Sequence, residues 1–267
     1  MELIDVGVNL THESFAADLP QVLERARAAG VGRMIVTGTS IAATQAALDL
    51  HSLHPQRLFA TAGIHPHHAA DLDAATLAQL TELAKQPGVV AIGECGLDYF
   101  RNYSPRAAQL QAFRQQLELG VATGLPVFLH QRDAHEDFIA VLRDYRPQLR
   151  DGIAHCFTGN ERELQDCLSL DLAIGITGWI CDERRGEHLK QLVGSIPAQR
   201  LMLETDSPYL LPRTLRPKPA NRRNEPAWLA EVARTVALAR GESIDALATS
   251  SNEAATAFFR LKRNDQN

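Results

Sequence analysis

The chain alternates short apolar runs with longer amphipathic stretches. Eight runs recur, at residues 3–9, 33–39, 58–64, 89–94, 125–130, 152–157, 172–177 and 200–206, each rich in Val, Ile, Leu or Ala. They are continuous rather than strictly alternating, which predicts strands buried on both faces, as in a parallel sheet. Their starts span residues 3 to 200 in seven intervals, a mean period of about 28 residues. That is room for a strand and a crossover helix. The stretches between read as helices. One spans 19–29 and stops at Gly30; another spans 74–85, before Pro87-Gly88; a third opens at Ser104-Pro105 and runs to 120. Further helices are predicted over 133–146, 161–170, 226–240 and 244–261.

Strand–helix alternation predicts an α/β protein, and eight units in this length predict one closed (β/α)8 TIM barrel, a single domain over 1–267. An open doubly wound sheet is the rival. It usually carries a Gly-rich fingerprint after its first strand, and that place here reads GVNLT, residues 7–11.

Polar residues collect at the predicted C-terminal strand ends, where barrels build active sites. Glu94 ends the fourth run, His130 the fifth and Asp206 the eighth; His155 lies near the end of the sixth, and His65 follows the third. Each alone reads equally as a polar strand end facing water. Together they form a nitrogen and oxygen donor set suited to a divalent metal such as zinc or manganese. Side chains alternate faces along a strand. An inward Glu94 therefore predicts inward Ile92 and Val90, an inward His155 predicts inward Ile153, and Cys95 and Cys156 then face the helices. Glu204 shares a face with Asp206. It reads either as a group holding a ligand in place or as one half of an interior salt bridge. His67 and His68, which follow His65, read as loop-surface residues, with substrate contact as the second reading.

Composition narrows the class. The 267 residues are 45% hydrophobic and 22% charged, which excludes a disordered or collagen-like chain. The four cysteines form no C-x-x-C pair. No basic and apolar leader and no long uncharged apolar run is present, so the expectation is a cytoplasmic protein with reduced thiols and no membrane contact. No large apolar surface stripe is visible, which favours a monomer. The net charge of −5 does not announce a nucleic-acid binder, but a local patch suffices. Residues 212–226 read PRTLRPKPANRRNEP, with Arg213, Arg216, Lys218, Arg222 and Arg223 against Glu225. After the last strand, this loop reads as a phosphate or single-strand contact, or as a solvated loop.

These residues fall within segments that closely resemble the TatD family of metal-dependent deoxyribonucleases, barrel hydrolases of the amidohydrolase superfamily. The segments are AGIHPHH (62–68), AIGECGLD (91–98), PVFLHQRDA (126–134), HCFTG (155–159), IGITGWICDERRG (174–186), ETDSPYLLP (204–212) and RRNEP (222–226). The resemblance implies that Glu94 is a carboxylate able to bridge metals, that His130 and His155 are metal ligands, and that Asp206 binds metal or takes a proton from the attacking water. It implies a rim role for His65 near the scissile phosphate, as a catalytic group. Most of the family carries His-x-His on the first strand, where this chain has Gly7 and Asn9. That departure matches the branch closest to TatD itself and argues against assuming a full two-metal site. Asn9 joins Glu204 as a supporting residue.

The function expected is a nuclease that hydrolyses phosphodiesters with a divalent metal, Mg, Mn or Zn, one or two ions per chain. The family implies 3′→5′ exonuclease action on single-stranded DNA, with RNA as a second substrate. Arg132, Arg222 and Arg223 are expected to contact the strand. Two alternatives stay open. One is a small-molecule metallohydrolase (amidase, lactonase or phosphoesterase); the other is a non-catalytic nucleic-acid-binding barrel.

Overall fold

The computed structural model describes residues 2–262; the first residue and the last five of the expected domain lie outside them. Eight parallel strands occur in the order β1 to β8: Leu3–Val8, Val31–Val36, Leu58–Ala62, Val89–Asp98, Val127–Arg132, Gly152–Ala154, Ala173–Ile176 and Leu201–Leu203. Each predicted run contains or overlaps its strand, and the fold is the predicted single-domain (β/α)8 barrel. The helices are α1 Leu19–Ala28, α2 Ile41–Leu53, α3 Ala74–Ala84, α4 Arg106–Thr123, α5 His135–Tyr145, α6 Glu161–Ser169, α7 Glu187–Leu192, α8 Leu229–Arg240 and α9 Ile244–Phe258.

Two of these helices are not announced by the apolar pattern. The α2 sequence IAATQAALDLHSL is rich in alanine, with no sharp polar face; it is started by the Ser40 side chain, which accepts the Ala43 N–H. The six-residue α7 is too short to show a helical period.

Strand alternation sorts the core into two layers. Ile4, Val6, Ile35, Ala91, Phe128, Ile153, Ala173 and Met202 fill the barrel, and its floor is closed by Ala254, Ala255 and Phe258 of α9 and by Phe259 just after it. Leu3, Met34, Ile92, Leu129 and Leu203 face the other way, among helix residues such as Val22, Leu80, Phe113 and Phe138. With its lower half filled by carbon, the barrel is open to chemistry only at the C-terminal mouth.

Closure between β8 and β1 relies on side chains. Among the described residues two backbone bonds cross at the top, Asp206 N–H to the Gly7 carbonyl at 2.8 Å and Asn9 N–H to the Ser207 carbonyl at 2.8 Å. Below them the buried Asp5 carboxylate accepts the Thr205 N–H at 2.9 Å, the Thr205 hydroxyl at 2.6 Å and the Gly7 N–H at 3.3 Å. At the foot, Asn252 of α9 accepts the Ile4 N–H and donates to the Glu2 carbonyl. These polar side chains replace ladder bonds that a short β8 does not make. Removing the Asp5 carboxylate (Asp5→Ala) orphans these donors at about 1–3 kcal/mol each before relaxation. With a net loss of about 3 kcal/mol, the melting temperature falls by about 6–12 °C, measurable by calorimetry.

Candidate active site

The mouth opens into a cavity of about 700 Å³ whose wall includes His65, Glu94, Asp98, His130, His155 and Asp206. All five candidates read from the strand ends are there; the structure adds Asp98 to them and sets Glu204, already singled out on the last strand, against His155.

Glu94 reaches the cavity through an irregularity in β4. The register with β5 shifts between Ile92 and Cys95, so Ile92 and Cys95 both pack outward while Glu94 between them points in. The expectation of an inward Ile92 is thereby corrected: a bulge resets the alternation. Gly93 makes this path possible. Its φ is 134°, and a Cβ there would collide with the Phe128 carbonyl oxygen.

Glu94 Oε1 lies 2.8 Å from His130 Nδ1, 3.4 Å from His65 Nε2 and 3.8 Å from His155 Nε2. Burial pushes the Glu94 carboxyl up, but the three imidazoles outweigh it and hold the group well below the usual carboxylate range. Burial likewise opposes charge on His130, yet Asp98 and Glu94 beside it carry it up to about 9. His65 goes the other way. Burial dominates and lowers it to about 4, so its ring is neutral.

The hydrogen bonds also assign the ring atoms. The Nδ1 of His65 accepts the His67 N–H at 3.1 Å, which leaves the proton of the neutral ring on Nε2. His65 is therefore a donor into the cavity in this arrangement, although it forms a metal-compatible group with Glu94 and His130. His155 is held the opposite way. Its Nδ1 faces Glu204 Oε2 at 2.5 Å, so Nε2, 3.8 Å from both Glu94 and Asp206, is the atom free to bind an ion. The ring stacks beside Phe128 and stands over Ile153, both inside the barrel, as parity predicts.

Glu204 is enclosed by glycine. A Cβ at Gly7 would strike Glu204 Oε2 and approach His155 Nδ1 to 3.1 Å. The space that a side chain at position 7 would need is thus filled by the Glu204–His155 pair. Asn9 donates from Nδ2 to Asp206 Oδ1 at 3.0 Å. Asp206 is pushed up to about 7, by burial and by Glu94 and Glu204, against the pull of His155.

Other expectations are corrected. Cys156 lines the cavity instead of facing the helices, because the chain turns off β6 there with φ 47°. Its thiol is raised well above its ordinary value by burial and then by Asp206 and Glu204, and stays protonated. His67 is no plain surface residue; its Nε2 meets Asp98 Oδ2 at 2.8 Å. Among the expected strand contacts, Arg132 lines the cavity, but Arg222 and Arg223 do not. Arg223 is bound instead to Asp18, Glu225 and the Ser14 carbonyl, and Arg222 is exposed outside the mouth. Arg213 of the same loop is paired with Glu183. The arginines at the mouth are Arg101 and Arg185, from two loops, and Arg132, the last residue of β5.

Asp98 was missed because the fourth run was ended at Glu94. The strand continues through Cys95, Gly96 and Leu97, and Asp98 is its true C-terminal residue. Its Oδ2 lies 3.4 Å from His130 Nε2, a buried ring nitrogen without a hydrogen-bond partner among the described residues. That orphaned nitrogen, within a set of imidazoles and carboxylates, fits a divalent metal ion.

A (β/α)8 barrel with such a cluster at its C-terminal mouth defines a metal-dependent hydrolase. The family model described as TatD-related DNase matches residues 4–260, and the chain belongs to that family. It is 52% identical over 259 residues to a protein of Erwinia amylovora named 3′-5′ ssDNA/RNA exonuclease TatD, covering 97% of this chain and 100% of that one. A protein of the same name from Edwardsiella piscicida is 50% identical, again over 97% of this chain and 100% of its own. Among solved structures, the TatD homolog YJJV of Escherichia coli K12 superposes with a TM-score of 0.88 at 28% identity, covering 97% of this chain and 98% of that one.

The Glu204–His155 pair generates a stability prediction. Burial opposes charge on His155, but Glu204 and its neighbours raise it to about 10. A raised folded value means the stabilisation is complete below the unfolded value of about 6.5 and is lost as pH rises through 10. Melting temperatures should fall over that window. Glu204→Gln should flatten the fall and bring the His155 titration, followed by imidazole NMR, down toward its ordinary value.

Proposed function

We propose that this protein is a divalent-metal-dependent nuclease that shortens single-stranded DNA or RNA from the 3′ end. The convergence of Glu94, His130, His155 and Asp206 on one cavity carries this reading, and the relatives named as exonucleases over nearly the whole chain support it. Glu94, His130 and His155 are the proposed ligands, with Asp206 next to them. One or two ions of magnesium, manganese or zinc are accommodated by this donor set. A bound divalent ion neutralises charge on a phosphoryl oxygen and acidifies water.

The chain's own groups complete the chemistry. Asp206, held near neutrality and oriented by Asn9, takes the proton of the water that attacks phosphorus. His65 Nε2–H, fixed by the backbone of His67, donates to the phosphate oxygen. Glu204 fixes the His155 ring. Arg132 and Arg101 bring positive charge to the strand at the rim. Four free cysteines accord with a reducing compartment, and no described helix is long and apolar enough to cross a membrane. We place the enzyme in the cytoplasm, as a monomer whose 1–267 chain forms one catalytic domain.

A 5′-labelled single-stranded oligonucleotide, incubated with magnesium, manganese, zinc or EDTA, tests the reading. A ladder shortening from the 3′ end, absent in EDTA and in a folded Glu94→Ala variant, is expected. Intact oligonucleotide in every metal, with turnover of a small phosphodiester, would replace it with the small-molecule hydrolase.

Metal uptake should also depend on pH. His130 and His155, at about 9 and about 10, carry protons at neutral pH in the metal-free protein. Ligation requires neutral rings, so binding expels protons and tightens as pH rises toward 9. Calorimetry in buffers of different ionisation enthalpy reads the released protons directly. Asp98→Asn, which removes a negative charge beside His130 and His67, should lower metal affinity by about 10–100-fold.

A further inference from the structure

Five large hydrophobic side chains are exposed among the described residues: Leu53, Phe100, Tyr103, Tyr209 and Leu238. The three aromatic ones gather at the barrel mouth. Tyr209 lines the cavity. Phe100 lies under the guanidinium of Arg132, 4.1 Å from the ring centroid, and Tyr103 packs edge-on against His67 at 4.8 Å. Phe100 and Tyr103 remain 54% and 68% exposed. Exposed aromatic area concentrated at one edge of a site calls for a ligand to cover it.

The loop that carries Phe100 and Tyr103 is held firmly at both ends. Gln109 of α4 accepts the Asp98 N–H at 2.8 Å and donates to the carbonyls of Asp98 and Ser104. Asp98 Oδ1 accepts the Arg101 N–H at 2.8 Å, and the Ser104 hydroxyl donates to the His67 carbonyl at 2.9 Å. Gln109, Asp98 and Ser104 are all buried. The aromatic rings are therefore presented by a preorganised loop. Asp98 ties that loop to the catalytic cluster, because its other oxygen contacts His67 and His130.

The geometry points to Phe100 and Tyr103 as nucleobase-stacking surfaces that hold the single strand beside the cluster, with Arg101 and Arg132 toward its phosphates. This rests on the nuclease reading above and says how that site grips its substrate. Aromatic faces interleaved with arginine match the alternation of bases and phosphates along an unpaired strand. Stacking of this kind is tolerant of sequence, since every base has a flat face. A duplex keeps its bases stacked inside and offers none to these rings.

The test uses the full-length protein and two labelled strands of equal length. One carries ordinary bases throughout; the other is abasic at its last three nucleotides. Phe100→Leu and Tyr103→Leu, which keep apolar bulk and remove the ring, are compared with the parent and with Tyr103→Phe. Binding is read by fluorescence anisotropy and cleavage by KM and kcat. The doubly substituted protein should lose about tenfold or more in affinity for the base-bearing strand, with the loss falling on KM. The parent should lose a similar factor on the abasic strand, where the leucine variants lose nothing further, and Tyr103→Phe should bind as the parent does. Parent-like binding of the base-bearing strand by the double leucine variant would overturn the inference. Strand binding by the parent without cleavage in any metal would instead overturn the nuclease reading, while the anisotropy comparison still decides this one.

Discussion

A carboxylate cannot stay ionised at the top of a carbon-filled barrel unless cations or donors surround it, and Glu94 is the group on which this requirement falls. Three imidazoles meet its oxygens within 3.8 Å. Each imidazole in turn needs its second nitrogen satisfied or aimed. Glu204 serves His155, the His67 N–H serves His65, and Asp98 stands beside His130. The result is a layered charge network in which no group is independent. The same network sets the chemistry: a neutral donor at His65, a carboxyl near neutrality at Asp206, and ring nitrogens directed at a common space.

The backbone is shaped to serve this network. The bulge in β4 brings Glu94 inward out of turn, at a glycine that alone fits against the Phe128 carbonyl. Gly7 leaves room for Glu204, whose carboxylate fills the space beside the first strand. The closure of the barrel is drawn into the same region. Asp5 stitches Gly7 to Thr205, and the carbonyl of Gly7 holds the backbone of Asp206. Fold stability and site geometry therefore share residues at the β1–β8 seam.

The mouth separates two tasks around its edge. The interior gathers imidazoles and carboxylates, while the rim carries exposed rings and guanidinium groups. Asp98 belongs to both, with one oxygen toward the histidines and the other on the loop that bears Phe100 and Tyr103. A strand seated on the rim would thus be positioned by the same carboxylate that orders the reacting groups.

The order of apolar runs, their period and the polar residues at their ends were enough to specify a (β/α)8 barrel with Glu94, His65, His130, His155 and Asp206 at one mouth. That succeeds because parallel strands are buried on both faces and strand ends share one rim, so local hydrophobicity already encodes the architecture. Asp98 and the Phe100–Tyr103 loop were hidden because a bulge and an unmarked strand extension in β4 erase the alternation that a linear reading depends on, and His67 follows β3 in a turn where no strand alternation aims a side chain. The basic segment at 212–226 drew attention for its arginines, yet Arg223 and Arg213 are spent on nearby carboxylates, and the mouth takes Arg101, Arg132 and Arg185 from elsewhere in the chain. Clustering in sequence measures composition. Which charges remain free, which ring nitrogen carries the proton and which side chains meet are decided only when the barrel closes and brings separate strand ends within hydrogen-bonding distance.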